Sequence, residues 1–201
     1  QKTFTPADAN LTGFASNVTG ADFTLTASSS GDSLAHQVSI RNDSATDHSG
    51  KTVTLVGTDA DGRAQTEVVT GPAGSATVES TLYFLTLTSA TPSATIGAST
   101  FDIGWVDEFS TKTIPLDWRN GNGALNIDVT GTLSYNLEQT FDDIQFKSSA
   151  YVWGVDDVST QSAQTADQTI LYRAHPKAIR ITINSYSAGA SITLSYTQVD
   201  E

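Results

Sequence analysis

The sequence predicts an all-β fold, because alternation of apolar and polar residues recurs along the chain and helical periodicity does not. The clearest segment is residues 51–89, where three Thr/Val-rich runs are separated by turn residues at 59–62 and 71–74. A period of two is typical of strands that bury one face. The Asp61-Gly62 pair favours the positive φ of a hairpin turn. We interpret the segment as a strand–turn–strand–turn–strand meander, in which residues 66–70 return antiparallel to the first run.

Further alternating segments lie on both sides of this meander in the first half of the chain. Their apolar positions are Phe23, Leu25, Val38, Ile40, Phe101, Ile103 and Trp105. Because the intervening residues are mostly polar or small, we expect these side chains to face one core. Residues 82–87 form a denser apolar run, which predicts a central strand.

A second set of alternating strands occupies the C-terminal half. Its apolar positions are Leu125, Ile127, Val129, Leu133, Tyr135, Leu137, Ile179, Ile181, Ile183, Ile192, Leu194 and Tyr196. Gly131 marks a tight turn between two of these strands. Residues 141–173 are the least regular stretch and predict a long loop or a short helix. Long loops in compact β domains are often functional, so a specific partner contact is expected here first.

The length of 201 residues suits two small β domains, each with its own core. Charged and polar residues interrupt the apolar pattern between 106 and 113, which predicts the domain boundary. We predict an extended N-terminal arm over residues 1–20, an N-terminal β domain over 21–106 and a C-terminal β domain over 107–201. Each domain is expected to be an antiparallel β-sandwich of jelly-roll-like form, arranged in tandem.

The charge balance disfavours two classes of partner. The formal net charge is −12, from 22 acidic and 10 basic side chains. Without a basic patch the chain has no general means of binding a phosphate backbone, and an anionic membrane would repel it. We therefore predict no nucleic-acid partner and no membrane association. Cysteine is absent, so disulfides and thiolate metal ligands do not contribute.

Metal-ligating residue types occur without a metal-binding pattern. Asp59-Ala60-Asp61-Gly62 matches part of an EF-hand loop, but Gly57 and Val68 stand where the first and last acidic ligands belong. The other candidates are the pairs Asp142-Asp143 and Asp156-Asp157 and the scattered histidines His36, His48 and His175. Adjacent residues in a strand point to opposite faces, so such pairs rarely share one ion. We predict no metal site and no cofactor, while loop carboxylates around a calcium ion stay an alternative.

Catalytic residues are not predicted at any position. No Gly-x-Ser-x-Gly nucleophile elbow occurs, and no histidine lies in a recognisable nucleophile context. Serine is abundant enough for Ser, His and Asp to meet in space by chance. A carboxylate pair for glycoside hydrolysis stays open, because the separation it requires is three-dimensional.

The aromatic residues are expected to fill cores, with one exception. Trp105 stands at an inward alternating position and is predicted to be buried. Trp118, Tyr151 and Trp153 could stack on sugars if they are exposed. Of these, Trp153 is the residue for which we expect exposure and burial equally. The sequons at Asn10, Asn17 and Asn42 are expected by chance in so Thr/Ser-rich a chain.

Several segments carry a family resemblance. They are TLVGTDADGRA at 54–64, TEVVTGP at 66–72, Tyr83-Phe84, Leu87-Thr88-Ser89, IPLDWR at 114–119, TGTLSY at 130–135, TFDD at 140–143 and AIRI at 178–181. The resemblance that they carry extends over roughly residues 50–198, about two thirds of the chain. They resemble stretches common in small virion structural proteins of tailed bacteriophages.

The resemblance implies a non-enzymatic protein that is made in the host cytoplasm and displayed on the virion surface. The implied function is a capsid decoration or cement protein that binds and stabilises the head shell. Its implied partners are the major capsid protein or other virion proteins, and its own copies in a homo-oligomer, with a trimer favoured by the threefold positions of capsids. A tail, neck or fibre component with host-glycan contact near Trp153 is the alternative, and a soluble enzyme or lectin is the third possibility.

Attachment is expected to involve the chain's edges. Edge strands and the arm over residues 1–20 could add to a neighbour's sheet by backbone pairing. Deleting residues 1–20 is then expected to leave both domains folded while weakening attachment to the particle.

Overall fold

The computed structural model describes residues 1–116, 123–144, 152–155, 162–172 and 176–198. Within these ranges the chain forms strands, turns and bends without a helix, and the paired strands of its sheets run antiparallel. The predicted all-β class is therefore confirmed. The described part of the chain also holds no helix that is long and apolar enough to span a membrane.

The strands of the described residues are, in chain order, β1 (Lys2–Phe4), β2 (Asn10–Val18), β3 (Ala35–Asn42), β4 (Thr52–Thr58), β5 (Ala64–Thr70), β6 (Thr77–Phe84), β7 (Thr86–Pro92), β8 (Phe101–Ser110), β9 (Ile114–Pro115), β10 (Gly123–Thr130), β11 (Leu133–Thr140), β12 (Gly154–Val155), β13 (Gln168–Tyr172), β14 (Ala178–Tyr186) and β15 (Ser191–Gln198). The chain divides into an N-terminal unit, Ala7–Ser110, and a C-terminal unit, Gln1–Pro6 with Thr111–Glu201. The expected boundary was at 106/107, and this division falls at 110/111.

Two sheets build the N-terminal unit. One has the strand order β5-β4-β7, and the other has the order β8-β3-β6 with β2 also paired to β8. Side chains from both sheets meet in one hydrophobic cluster. Its members are Phe14, Ala15, Phe23, Val38, Ile40, Val53, Leu55, Val69, Phe84, Leu87, Ala90, Ile96, Phe101, Ile103 and Trp105. The alternating apolar positions predicted for this half therefore face a common core, except Leu25, which packs against its margin. The strand expected at Phe23 and Leu25 is wrong, because Phe23 forms only an isolated bridge to Ala90 and the segment between β2 and β3 holds no strand.

The Asp-Gly hairpin is confirmed. β4 and β5 pair from Thr52↔Thr70 to Thr58↔Ala64, and Gly62 in the turn between them has φ of +81°. The prediction for the third strand of the meander is wrong. The next strand along the chain, β6, pairs with β3 in the other sheet, and it is β7 that pairs with β4. Pro72 lies in the segment between β5 and β6, and because it has no N–H it cannot continue a ladder. Its carbonyl instead accepts the N–H of His48, at 3.1 Å.

The apolar run at 82–87 is not one central strand. It is divided between β6 and β7, with the break at Leu85, and β6 is the outer strand of its sheet. β6 also carries a register shift opposite β3. There the Ser80 hydroxyl accepts the N–H of Val38 and donates to the carbonyl of Leu82, each at 2.8 Å. A side chain thus replaces a ladder hydrogen bond at this bulge.

Residues 1–20 do not form the expected arm but contribute two strands. β1 pairs with β15 from Lys2↔Leu194 to Phe4↔Ile192, and β2 pairs with β8. Phe4 and Phe14 are buried, and Phe14 lies in the core cluster. Deleting residues 1–20 would remove part of that core, so the structure predicts that the deletion destabilises the N-terminal unit, contrary to the expectation from the sequence.

The C-terminal unit also contains two sheets. One has the order β1-β15-β10-β13; in the other, β14 pairs with β11 and β9, and β11 pairs with β12. The predicted alternation is confirmed by buried side chains on β10, β11, β14 and β15. Gly131, with φ of +78°, lies in the tight turn between β10 and β11. Because these two strands pair within different sheets, the turn carries the chain from one sheet to the other.

The irregular stretch at 141–173 includes two strands, β12 and β13, where a loop or a helix was expected. β13 pairs with β10, from Gly123↔Tyr172 to Ile127↔Gln168. Phe146, Tyr151 and the pair Asp156-Asp157 lie outside the described residues, as do Trp118 and His175.

Candidate docking surface

The outer face of the β5-β4-β7 sheet is built from small uncharged side chains. We call it the threonine face. By strand register its members are Thr52, Thr54, Val56, Thr58, Ala64, Thr66, Val68, Thr70, Thr86, Ser89 and Thr91. They alternate with the inward residues of the same strands, such as Val53 and Leu55, which are buried in the core. β-Branched side chains favour this extended backbone, so the same threonines promote the strands and form the face.

The face carries no charged side chain, although the whole chain has a net charge of −12. Glu67 lies between Thr66 and Val68 in β5 but belongs to the opposite face by alternation. Its carboxylate accepts the Thr81 N–H at 2.7 Å and the Leu82 N–H at 2.9 Å. Val68 is 61% exposed, so the face presents methyl groups and hydroxyls to its surroundings.

Both edges of this sheet contact other parts of the N-terminal unit. Along β5, Gln65 donates to the carbonyl of Tyr83, and Glu67 accepts the two β6 amides. Along β7, the backbone of Phe23 bridges to Ala90, and the N–H of Leu87 donates to Ser28. Inward-pointing charge and covering segments are how proteins protect sheet edges from added strands. We therefore take the outward face of this sheet as its candidate docking surface.

Replacing Glu67 with alanine should lower the free energy of unfolding by about 1–2 kcal/mol, because the two β6 amides lose a charged acceptor. Glu67→Gln should lose less, since its remaining carbonyl oxygen still accepts one hydrogen bond. Urea unfolding measures the loss, and amide hydrogen exchange at Thr81 and Leu82 should accelerate in both variants. The matched control is Glu79→Ala, which removes an exposed carboxylate from β6. Equal losses for the Glu67 and Glu79 variants would contradict this role of Glu67.

One serine and one histidine meet in the structure. His48 Nε2 lies 2.9 Å from Ser99 Oγ, and His48 Nδ1 lies 3.0 Å from Lys51 Nζ. Burial, and then the charge of Lys51, lower the pKa of His48. Because the Lys51 ammonium can only donate, Nδ1 is the acceptor and Nε2 carries the proton toward Ser99. The ring therefore donates to the serine and is not arranged to take a proton from it, and both side chains are buried.

A second histidine connects separate segments of the N-terminal unit. His36 Nδ1 lies 3.0 Å from the carbonyl oxygen of Val106, and His36 Nε2 lies 2.8 Å from Asp32 Oδ2. Asp32 also accepts the N–H of Ala7 at 2.7 Å and that of Leu34 at 2.9 Å. Burial alone would raise the pKa of the Asp32 carboxyl, but its hydrogen bonds, led by that from His36, lower it to about 2.

Acid should remove the stabilisation that Asp32 supplies. Its pKa in the folded chain is about 2 against an ordinary value of 3.8. A depressed pKa contributes stability that is present above the ordinary value and is lost as pH falls through the folded value, here between about pH 4 and pH 2. The contribution at neutral pH is about 2 kcal/mol. Unfolding free energies at pH 5 and pH 2 should therefore differ less in Asp32→Asn than in the unchanged chain.

The exposed Asp22 supplies the control for that experiment. The unfolding free energy of Asp22→Asn should change between pH 5 and pH 2 by as much as that of the unchanged chain. An Asp32→Asn protein with the full acid dependence would show that other carboxyl groups are responsible.

The predicted metal-site candidates have other interactions. Asp59 Oδ1 accepts the N–H groups of Asp61 and Arg63, each at 2.9 Å, as expected for a hydrogen-bonded turn. Asp142 accepts the N–H of Val152, whereas Asp143 lies 3.7 Å from the Lys177 ammonium. Within the described ranges, no three His, Asp or Glu side chains group as metal ligands.

The two described tryptophans differ in environment. Trp105 is 7% exposed, as predicted for a core residue, and its Nε1 donates to the carbonyl of Asp8 at 3.0 Å. Trp153 is half-buried. The Arg180 guanidinium lies over the Trp153 ring, with Cζ 4.5 Å from the centroid, and its Nε donates to Glu138 at 2.6 Å. One face of the Trp153 ring is thus covered by a paired cation.

Sequence reasoning missed the threonine face as a candidate site. The alternation of Thr52, Thr54 and Thr58 is visible in the sequence, but such a pattern is typical of any strand that turns one face to solvent. Recognising a continuous uncharged surface also required the alignment of β7 beside β4, which has a register shift between Val56 and Gly57.

The chain matches no protein-family model, no curated protein and no solved structure in the three comparisons made.

Proposed function

We propose that the chain is a non-enzymatic structural subunit of a tailed-bacteriophage particle, and that it decorates and stabilises the outside of the head shell. The observation that carries the proposal is the threonine face, an uncharged sheet surface on a strongly acidic chain. Such a surface suits contact with another protein through packing and hydroxyl hydrogen bonds. The segments that resemble virion structural proteins include 54–64 and 66–72, which supply two of its three strands.

A decoration subunit needs stable sheets and contact surfaces, and it transforms no substrate. The partners in this proposal are the major capsid protein or other virion proteins, and further copies of the chain itself. Its site of action is the particle surface after synthesis in the host cytoplasm. The negative charge is consistent with a role outside the shell, since an acidic surface has little affinity for nucleic acid.

The proposal includes the finer fold expectation of two jelly-roll-like sandwiches in tandem. Support comes from the N-terminal unit, where side chains of both sheets share one core cluster. A sandwich buries the inner faces of two sheets and leaves their outer faces available for contact. The threonine face is such an outer face.

A tail or fibre component that binds host glycans through Trp153 has less support. Sugars stack on exposed aromatic faces, and Arg180 lies over one face of this ring. Binding a sugar on that face would require Arg180 to leave both Trp153 and Glu138. The head-shell role needs no such rearrangement.

The copy number of the chain in purified particles tests the proposal, by quantitative mass spectrometry against the major capsid protein. Head decoration predicts a ratio of about one, or about one third if each trimer is counted as a single unit. A ratio of about one hundredth, as expected for a part on the tail axis, would reject decoration in favour of a tail or neck component. Absence of the chain from particles would reject a virion role.

A further inference from the structure

We propose that His36 and Asp32 form a buried, pH-sensitive latch in the N-terminal unit, in which the His36 ring carries two protons and a positive charge. The latch joins three segments of this unit, namely the residues before β2, the loop before β3, and β8. Loss of either ring proton would release one of these contacts. The latch is therefore closed only while the imidazole is charged, and this inference does not depend on the proposed function.

The contact with β8 assigns the first ring proton. His36 Nδ1 lies 3.0 Å from the carbonyl oxygen of Val106, and a carbonyl oxygen can only accept a hydrogen bond. Nδ1 must therefore be a donor. In a neutral imidazole with its proton on Nδ1, the other nitrogen is an acceptor and requires a donor opposite it.

The atom opposite Nε2 is not a donor. Asp32 Oδ2 lies 2.8 Å from Nε2 and also accepts the N–H of Ala7 at 2.7 Å. The second carboxylate oxygen accepts the Ser30 hydroxyl at 2.6 Å and the Leu34 N–H at 2.9 Å. A proton on either oxygen would compete with these donors, and the pKa of the Asp32 carboxyl, lowered to about 2, keeps the group ionised at neutral pH. Nε2 is thus a donor as well, and the ring is an imidazolium.

The surroundings of the pair favour a charged ring. The His36 side chain is 1% exposed, and a charge is stable at that depth only when it is paired and hydrogen-bonded. Asp32 supplies the pairing charge. The rings of Trp105 and Phe109 pack against His36, with centroids 6.4 Å and 5.6 Å away. The other charged groups on the packed elements are the acidic Asp8, Glu79, Asp102, Asp107 and Glu108, and Arg41, which is paired with Asp43 and Asp102.

Raising the pH should open the latch. The folded chain holds a second proton on His36 that the unfolded chain gives up above about pH 6.5, the ordinary value for histidine. The stability that the pair supplies is therefore fully present below that pH, and it declines at higher pH as the folded ring loses its proton. A neutral ring can donate to Val106 or to Asp32 but not to both. The loop before β3, which includes Leu34, should then loosen.

The protonation state of the imidazole rings in the full chain, measured by 15N NMR, tests the inference. At about pH 7.5, His36 should show two protonated ring nitrogens. His48 is an internal control, because Lys51 donates to its Nδ1 and it should show one protonated nitrogen at the same pH. Spectra of His36→Gln and His48→Gln assign the signals. A single protonated nitrogen on His36 in the unchanged chain would overturn the inference.

Asp32→Asn provides a second test of the charge on the ring. The asparagine amide can donate to Nε2, so a neutral His36 would then satisfy both of its contacts. In this variant the ring should show one protonated nitrogen, Nδ1, at about pH 7.5. A ring with two protonated nitrogens in both proteins would show that Asp32 does not hold the second proton, and the latch would be rejected.

Amide hydrogen exchange of the unchanged chain tests the opening of the latch. The protection of the Leu34 amide, corrected for base catalysis, should fall at least about threefold between about pH 6.5 and about pH 9. The reference is the amide of Val53 in β4, a strand outside the latch, whose corrected protection should change less. Constant protection of Leu34 relative to Val53 would contradict a pH-sensitive latch.

Discussion

Replacing Trp105 with alanine should lower the free energy of unfolding of the N-terminal unit by about 4 kcal/mol. The indole is buried in the core cluster and packs edge-on against Phe14, with ring centroids 5.1 Å apart. The substitution removes this contact and leaves a cavity. It also leaves the carbonyl of Asp8 without the hydrogen bond from Nε1. Gly13 lies against the same ring, since a Cβ added there would come within 2.0 Å of Trp105 Cζ3.

Urea unfolding combined with hydrogen exchange on peptides from β3 and β8 would assign this loss to the N-terminal unit, because a two-unit chain need not unfold in one step. Trp105→Phe keeps most of the apolar contact but removes the N–H donor, so it should cost clearly less than Trp105→Ala. A loss below about 1 kcal/mol for Trp105→Ala would contradict the core position of this side chain.

Replacing Gly57 with alanine should destabilise the same unit by about 3 kcal/mol. A Cβ at this position would lie 1.9 Å from the carbonyl oxygen of Thr86 and 3.0 Å from Phe84 Cδ1. The first obstacle is backbone, which cannot rotate away as a side chain can. β7 would have to move from β4 where their register already shifts. Because Thr86 also belongs to the threonine face, the change should disturb the face itself.

Thermal and urea unfolding of Gly57→Ala measure this effect, with Gly50→Ala as the control. A Cβ added at Gly50 meets no atom within 4 Å, and the residue is not in the positive-φ region. Gly50→Ala should therefore change the unfolding free energy by no more than about 0.5 kcal/mol. Equal stabilities for the two variants would show that the Thr86 carbonyl leaves room for a methyl group at position 57.

Local chemistry explains which elements were predictable from the sequence. The Asp61-Gly62 hairpin depends on a two-residue turn signal and on alternation in the adjoining strands, so it was found. The burial of Trp105 followed from alternation in the same way. The partner of β6 could not be found, because alternation identifies a strand but does not say which distant strand it joins. The burial of Phe14, within the predicted arm, could not be predicted for a related reason, since an isolated aromatic residue in a polar segment becomes core only through its long-range contacts.

The candidate site depended still more on long-range arrangement. Residue type alone singles out Trp153, yet its surroundings depend on Arg180 in β14 and Glu138 in β11. The abundance of serine made a chance contact between a serine and a histidine possible, and His48 and Ser99 form one. The direction of their hydrogen bond, however, depends on Lys51. The threonine face needed the pairing of three strands before its lack of charge became visible.

The most direct test of the decoration role uses head shells that lack this chain, prepared from phage in which its coding sequence is deleted. Purified chain is added back, and both its binding and the temperature at which the shells release their contents are measured. Head decoration predicts saturable binding that raises the release temperature to that of complete particles. Shells that bind none of the added chain, and that are as heat-resistant without it as complete particles are, would rule out head decoration.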